Sequence, residues 1–305
     1  VFFEVHAADG SPMRAPRPSS FTGARGPPAV LRYHDGSLQR VHVLRKAVLV
    51  IAVILSAIAA LDVVSDQPVL IRIEDKPYSM VMRTPGEEVS QAAGFCLGEG
   101  LVDRPEDIKT IGYDDYQDPN LIDVWLQSGR RRKIREILRR KAFVSQTSCG
   151  ICGKEMIKDL YQVLTPAEND LKIKVNSIFN CINRLSENQK YYQKTRGSHA
   201  AMILDKQLKK ISFAEDVGRH NALDKSIGKG FINGKLHEAA ILILSSRISY
   251  ELVQKAARAH LPIMISKSRP TALAAEMGKA LNMTLACTGK ESELIIVCGE
   301  NRIVF

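Results

Sequence analysis

The C-terminal half of the chain carries five continuous apolar runs of strand length, at residues 201–204, 239–244, 262–266, 283–286 and 294–297, with helical patterns between them. That order constrains the fold more than any other feature, because strands alternating with helices give an α/β architecture. Segment 249–260 places Leu252, Val253, Ala256 and Ala259 on one buried face. Segment 270–281 opens with Pro270 in its first turn and buries Leu273, Met277 and Leu281.

The sequence predicts a smaller, β-rich part upstream. Residues 69–73 and 78–82 flank an Asp75-Lys76-Pro77 turn and read as a hairpin. Residues 86–99 set Val89, Ala92, Ala93, Phe95 and Cys96 at helical spacing, with Gly98 and Gly100 as stop signals. Residues 121–126 form a further strand in an otherwise mixed stretch.

Composition excludes whole classes: 45% hydrophobic and 25% charged residues leave no room for a collagenous, coiled-coil or wholly disordered chain. The net charge of +10 is local, with +3 in residues 1–64, +7 in residues 130–141 and zero over the remaining 229. In the second stretch Ile134, Ile137 and Leu138 give a thin apolar helical face beneath a dense cationic one. A solvated face and a docking face remain alternatives for it. Binding of nucleic acid is disfavoured, since only Phe143 lies close enough to stack on bases.

Residues 11–28, rich in Pro, Ser, Gly and Arg, read as disordered. Residues 47–61 are apolar except for Ser56 and follow Arg45-Lys46. The run lies too far into the chain for a signal peptide and is short for a membrane span, which needs about 20 residues. A buried helix, a membrane contact, or sequence outside the mature protein stay open for it.

The six cysteines are scattered and do not resemble a secreted disulfide framework, which predicts a reducing, cytoplasmic location. The sharpest local motif is the stretch TSCGICG at residues 147–153, which brackets Cys149 and Cys152 with glycines eight residues after the cationic run. Nearby positive charge favours the thiolate, the form that attacks a disulfide or persulfide sulfur. Zinc is disfavoured because no second ligand pair follows. A thioredoxin-like site would follow the first strand of its domain. Relay of sulfur or electrons through a loop is the best physical reading, with an inert buried pair as the alternative.

Two polar stretches stand out beyond it. Around Gly218, the groups Asp216, Arg219, His220, Asn221, Asp224 and Lys225 crowd together as if to bind a polar ligand. Ser245-Ser246-Arg247-Ile248-Ser249 lies between a strand and a helix, where open α/β sheets bind ligands and a helix N-terminus accepts an anion.

Four blocks occur in the order of one known family: residues 81–101, TSCGICG at 147–153, EDVGRHNALDKSIG at 215–228, and residues 245–276. Over residues 62–298 the chain resembles the FdhD family of formate dehydrogenase accessory sulfurtransferases. The resemblance implies transfer of persulfide sulfur from a cysteine desulfurase to the molybdenum or tungsten bis-pterin guanine dinucleotide cofactor, Mo-bis(molybdopterin guanine dinucleotide), which formate dehydrogenase requires. Cys149 would carry the persulfide and Cys152 would assist. The cofactor would lie against Thr288, Gly289, Lys290, Glu291, Ser292 and Glu293, with Arg219, His220, Arg247 and Ser249 as further candidates. This segment keeps Lys290 but has Glu293 where the family commonly has a basic residue, so two carboxylates oppose an anionic pyrophosphate.

The resemblance further implies a homodimer and a cytidine deaminase-like α/β domain at 147–305, beginning at the C-x-x-C loop. Before it would come a smaller N-terminal β-rich α+β region at 62–146 and an extension at 1–61, partly disordered, with an apolar helix at 47–61. No zinc is expected, because the H-x-E and P-C-x-x-C pair that holds the deaminase metal is missing, and deamination is disfavoured. A reading from another class is a cofactor-binding chaperone that delivers the bis-pterin without transferring sulfur.

Overall fold

A computed structural model of the chain describes residues 63–113, 118–135, 164–168, 171–289 and 293–305. They lie within one compact unit, Leu61–Phe305. Strands β1 (Gln67–Ile73) and β2 (Lys76–Arg83) form the predicted hairpin. Its turn sits one residue earlier than expected, at Glu74 and Asp75, whose φ values of 53° and 62° match the twist of a two-residue hairpin. Lys76 and Pro77 therefore open β2.

Helix α1 (Glu88–Gly98) follows, burying Ala92, Ala93, Cys96 and Leu97. Strand β3 (Ile108–Tyr113), absent from the sequence reading, pairs antiparallel with β4 (Leu121–Leu126), and β4 lies parallel to β1. The resulting sheet has the order β2-β1-β4-β3. The cationic stretch begins as α2 (Ser128–Lys133), and its residues beyond 135 lie outside the described ones. Arg130 does not belong to a solvated face. It is 9% exposed and donates to the carbonyls of Leu101 and Gly100, each at 2.7 Å, and to Asp103. Arg131 pairs with Glu74 at 2.7 Å.

The second half begins with the short β5 (Ile173–Lys174), α3 (Val175–Asn188) and α4 (Lys190–Thr195). Next come β6 (His199–Asp205), β7 (Lys210–Asp216) and α5 (Arg219–Ile232). The alternation then runs β8 (Ala239–Leu244), α6 (Tyr250–Arg258), β9 (Ile263–Ser266), α7 (Ala272–Ala280), β10 (Thr284–Thr288) and β11 (Leu294–Cys298). Strand β12 (Ile303–Val304) pairs with β5. The main sheet has the order β11-β10-β9-β8-β6-β7, with β8, β9 and β10 parallel and the β6-β7 and β10-β11 pairs antiparallel. The fold is thus mixed α/β, with several sheets. Pro270 lies outside α7, which is capped by the Thr271 side chain, and Ala274 is buried where Leu273 was expected.

Two cores flank the main sheet. On one face Ala201, Ile203, Leu242, Leu244 and Leu285 join α1, α5, α6 and the inner face of the four-stranded sheet. On the other, Met202, Leu204, Ile241, Ile243 and Ile265 pack on Ile178, Cys181, Ile182 and Leu185 of α3.

At the seam between the sheets, α1 and α5 touch backbone to backbone. A Cβ on Gly94 would stand 1.9 Å from the Asp224 carbonyl oxygen, and one on Gly228 would stand 1.7 Å from that of Ser90. Only glycine admits so close an approach. The apolar run 47–61 and the remainder of 1–61 lie outside the described residues. Among the described residues no helix is long and apolar enough to cross a membrane.

Candidate functional site

Because β6 and β7 run antiparallel to one another and β6 antiparallel to β8, several polar stretches reach one end of the main sheet. The register runs from Asp216 opposite His199, through Leu244 opposite Ser266, to Ser266 opposite Cys287. The loops leaving this end are 217–218 into α5, 245–249 into α6, 267–271 into α7, and the segment after Thr288. Carboxyl ends of parallel strands are where open α/β sheets hold ligands.

Serines knit the loops together. The Ala200 N–H donates to Ser245 Oγ at 2.8 Å, and Ser266 Oγ donates to the Ser246 carbonyl and accepts the Ser268 N–H at 3.0 Å. Thr288 Oγ1 donates to the Lys267 carbonyl at 3.2 Å.

Several groups crowded around Gly218 are structural rather than ligand-binding. Asp216 is fully buried and takes the Lys225 ammonium at 2.7 Å, the Thr84 N–H at 3.0 Å and the Gly218 N–H at 2.8 Å. Asn221 donates to Asp216 at 2.9 Å and to the Met82 carbonyl at 2.7 Å, and Lys225 reaches the Thr84 carbonyl at 2.6 Å. Together they lock the end of β2 to the start of α5. A charge removed from water is tolerated here because both ions are paired and hydrogen-bonded. Asp224 similarly holds Lys255 at 2.7 Å. Burial alone would lower the Lys255 pKa, but Asp224 and Glu99 outweigh it and keep the ammonium charged.

Arg219 and His220 are half-buried, with Arg219 Nε itself buried and unpartnered, whereas Arg247 is exposed. His220 Nε2 lies 3.4 Å from Ser249 Oγ and 3.8 Å from Glu251. Burial opposes ionisation of Glu251, yet hydrogen bonds from His220, Ser249 and its own N–H carry its pKa down to about 2. A carboxylate of the chain therefore occupies the first turn of α6, the position expected to draw an external anion.

Thr288 ends β10, and the Gly289 N–H donates to the Glu293 carbonyl at 2.8 Å. The Glu293 carboxylate folds over Gly289, where an added Cβ would meet it at 3.0 Å. Lys290, Glu291 and Ser292, and the pair Cys149 and Cys152, lie outside the described residues.

Cys96, Cys181, Cys287 and Cys298 are all buried, and burial pushes each thiol pKa up. None presents an accessible thiolate. The sequence reading passed over His199, whose only signal was its place at the start of an apolar run. Burial, with the charges of Arg219 and His220, holds its pKa below the usual value.

Comparison with known proteins places this geometry in context. The family model described as FdhD/NarQ matches residues 64–304. The sulfur carrier protein FdhD of Streptomyces coelicolor is 31% identical over 79% of this chain and 88% of its own length. That of Mycolicibacterium paratuberculosis is 32% identical over 79% and 91%. A crystal structure from Desulfotalea psychrophila, described as a formate dehydrogenase accessory protein, matches with a TM-score of 0.62 at 21% identity, covering 79% of this chain and 90% of that one.

Proposed function

The chain belongs to the FdhD/NarQ family, and from that premise we propose that it is a sulfur carrier serving the maturation of formate dehydrogenase. Cys149 accepts sulfur as a persulfide from a cysteine desulfurase, and Cys152 assists as the second thiol. The sulfur passes to Mo-bis(molybdopterin guanine dinucleotide), bound as substrate beside Thr288–Glu293.

The observation that carries this reading is a process of elimination among thiols. The four cysteines of the described fold are buried with raised pKa values, and a persulfide relay needs an accessible thiolate. That leaves the glycine-bracketed pair in TSCGICG. The sulfur step is a thiolate displacement. Cys149 sulfur attacks the outer sulfur of the donor persulfide, a new S–S bond forms on Cys149, and the donor cysteine leaves as its thiolate. A homodimer in the cytoplasm, with a cytidine deaminase-like larger part, belongs to the same proposal.

Incubation of the full chain with a cysteine desulfurase and cysteine, followed by peptide mass spectrometry, tests it. One added sulfur atom is expected on the peptide holding Cys149 and Cys152, released by reductant and absent from Cys149→Ala. No added sulfur with an active desulfurase would overturn the reading in favour of a chaperone that only delivers the cofactor.

A further inference from the structure

The charge that sums to zero outside the two basic stretches is itself segregated. Residues 65–127 carry five Lys/Arg against thirteen Asp/Glu, or −8, whereas residues 171–210 carry nine against two, or +7. The second set comes together from separate elements. Lys190 and Lys194 stand exposed on α4, and Lys206, Lys209 and Lys210 stand exposed at the turn between β6 and β7. Arg184 of α3 donates to the Leu208 carbonyl at 2.7 Å, and Lys210 reaches Asn188 Oδ1 at 3.4 Å. The turn is thereby held against the end of α3, two residues before Lys190.

These cations are not spent inside the fold. Lys190, Lys194 and Lys209 form no ion pair with a described carboxylate, and Lys210 touches a neutral amide. The two buried acids nearby are already saturated. Glu215 accepts the N–H groups of Tyr191 and Tyr192 at 2.9 and 3.0 Å and the Ser198 hydroxyl at 2.9 Å, and Asp205 accepts the N–H groups of Gln207 and Lys209 at 2.9 and 2.8 Å. Glu187 is the one exposed acid in residues 171–210. The described start of the other basic stretch differs, since Arg130 is buried on Asp103 and Arg131 is paired with Glu74. Like charges crowded on one face repel one another, a cost that an acidic partner relieves.

We propose that this face docks an acidic surface of the protein that donates the sulfur. The proposal rests on the sulfur-carrier reading above. In that reading the cofactor is a bound small molecule, while the persulfide arrives on another protein, which has to dock and leave at every cycle. Unpaired charges of one sign suit such an encounter, because complementary fields raise the association rate without a large buried area that would slow release. A nucleic acid fits less well, since successive bases need several rings to stack on. Of the two rings on α4, Tyr192 already lies under the Arg196 guanidinium at 5.2 Å, which leaves Tyr191, 49% exposed.

Loading of Cys149 by a cysteine desulfurase, read by mass spectrometry as the desulfurase concentration is raised, gives a half-saturating concentration and a plateau rate. Lys190→Glu with Lys194→Glu is expected to raise the half-saturating concentration at least about tenfold at an unchanged plateau. Lys209→Glu with Lys210→Glu should do the same, which keeps the test readable if the first pair fails to fold. Raising salt from about 0.05 to about 0.5 M should weaken loading of the parent and hardly alter that of either variant. Lys76→Glu with Lys109→Glu, at exposed cations of the smaller sheet, should leave both quantities unchanged.

An unchanged half-saturating concentration in both docking variants, a fall in the plateau alone, or an equal shift in the control pair would each overturn the proposal. So would saturable binding of a single strand of about 20 nucleotides that both variants lose while loading stays unchanged, which would give the face to nucleic acid. Failure of the parent to take up sulfur from an active desulfurase would sink the sulfur-carrier reading and this proposal with it, whereas loading with no shift sinks the proposal alone.

Discussion

Along β6, alternate residues enter opposite cores, Ala201 and Ile203 on one side and Met202 and Leu204 on the other. Along β1 only Val69, Ile71 and Ile73 are buried, while Pro68, Leu70 and Arg72 face outward. The outer face of the four-stranded sheet also shows Met80, Met82 and Trp125 to solvent, at 65%, 52% and 40% exposure. A strand covered on both faces has to be apolar at nearly every position, whereas one covered on a single face needs only every second residue. The two sheets thus spend their hydrophobic residues differently, and the face they share carries the tightest packing.

That shared face is where one atom should cost most. Gly228→Ala sets a methyl group against a backbone carbonyl that cannot step aside, so a loss of about 4 kcal/mol or failure to fold is expected, at the upper end for single substitutions. Urea unfolding reads it as a lowered midpoint at unchanged slope. A midpoint within error of the parent would mean that the α1–α5 seam is looser than described.

The asymmetry between the sheets is measured by a pair of methionines. Met202→Ala empties a fully buried position on the far face of the main sheet and should cost about 3 kcal/mol, whereas Met80→Ala should cost about 0.5 kcal/mol or less. Similar losses would break the comparison, by showing that the outer face of the small sheet is covered in solution.

The smallest effect is one of pH at the open end of the main sheet. The fold holds the His199 pKa below 6.5, first by burial and then by the charges of Arg219 and His220. The unfolded chain therefore takes up a proton at a pH where the fold does not, so this contribution is complete above 6.5 and is lost as pH falls from there to the folded value. In His199→Gln the unfolding midpoint should fall less steeply across that window than in the parent. Identical slopes would remove His199 from the account.

The strands covered on both faces were legible because burial leaves a run of apolar letters. Residues 239–244 were read to the residue, as was 121–126 in the smaller sheet. Strand β3 was not legible, since its six residues are at most half-buried and carry Lys109, Thr110 and Gly112. Strand β7 was hidden by Lys210, Ser212, Glu215 and Asp216, polar residues satisfied by partners far away in the sequence.

The candidate site divides in the same way. The stretches around Gly218 and Ser245–Ser249 stood out by composition and the segment from Thr288 by the family resemblance, but nothing in their spacing brings Gly218, Ser245–Ser249 and Thr288 to one end of a sheet. That depends on β6 lying between β7 and β8 in antiparallel pairing. Residue type and order by themselves determined the α/β alternation, the hairpin, the thiol pair and the family, because these rest on local periodicity and on motifs contiguous in the chain. Only the tertiary structure decided that Asp216, Asn221 and Lys225 close a buried lock and that the turn between β6 and β7 lies against the end of α3. A polar side chain serves whichever partner the fold brings within about 3 Å, and that partner is not written next to it in the sequence.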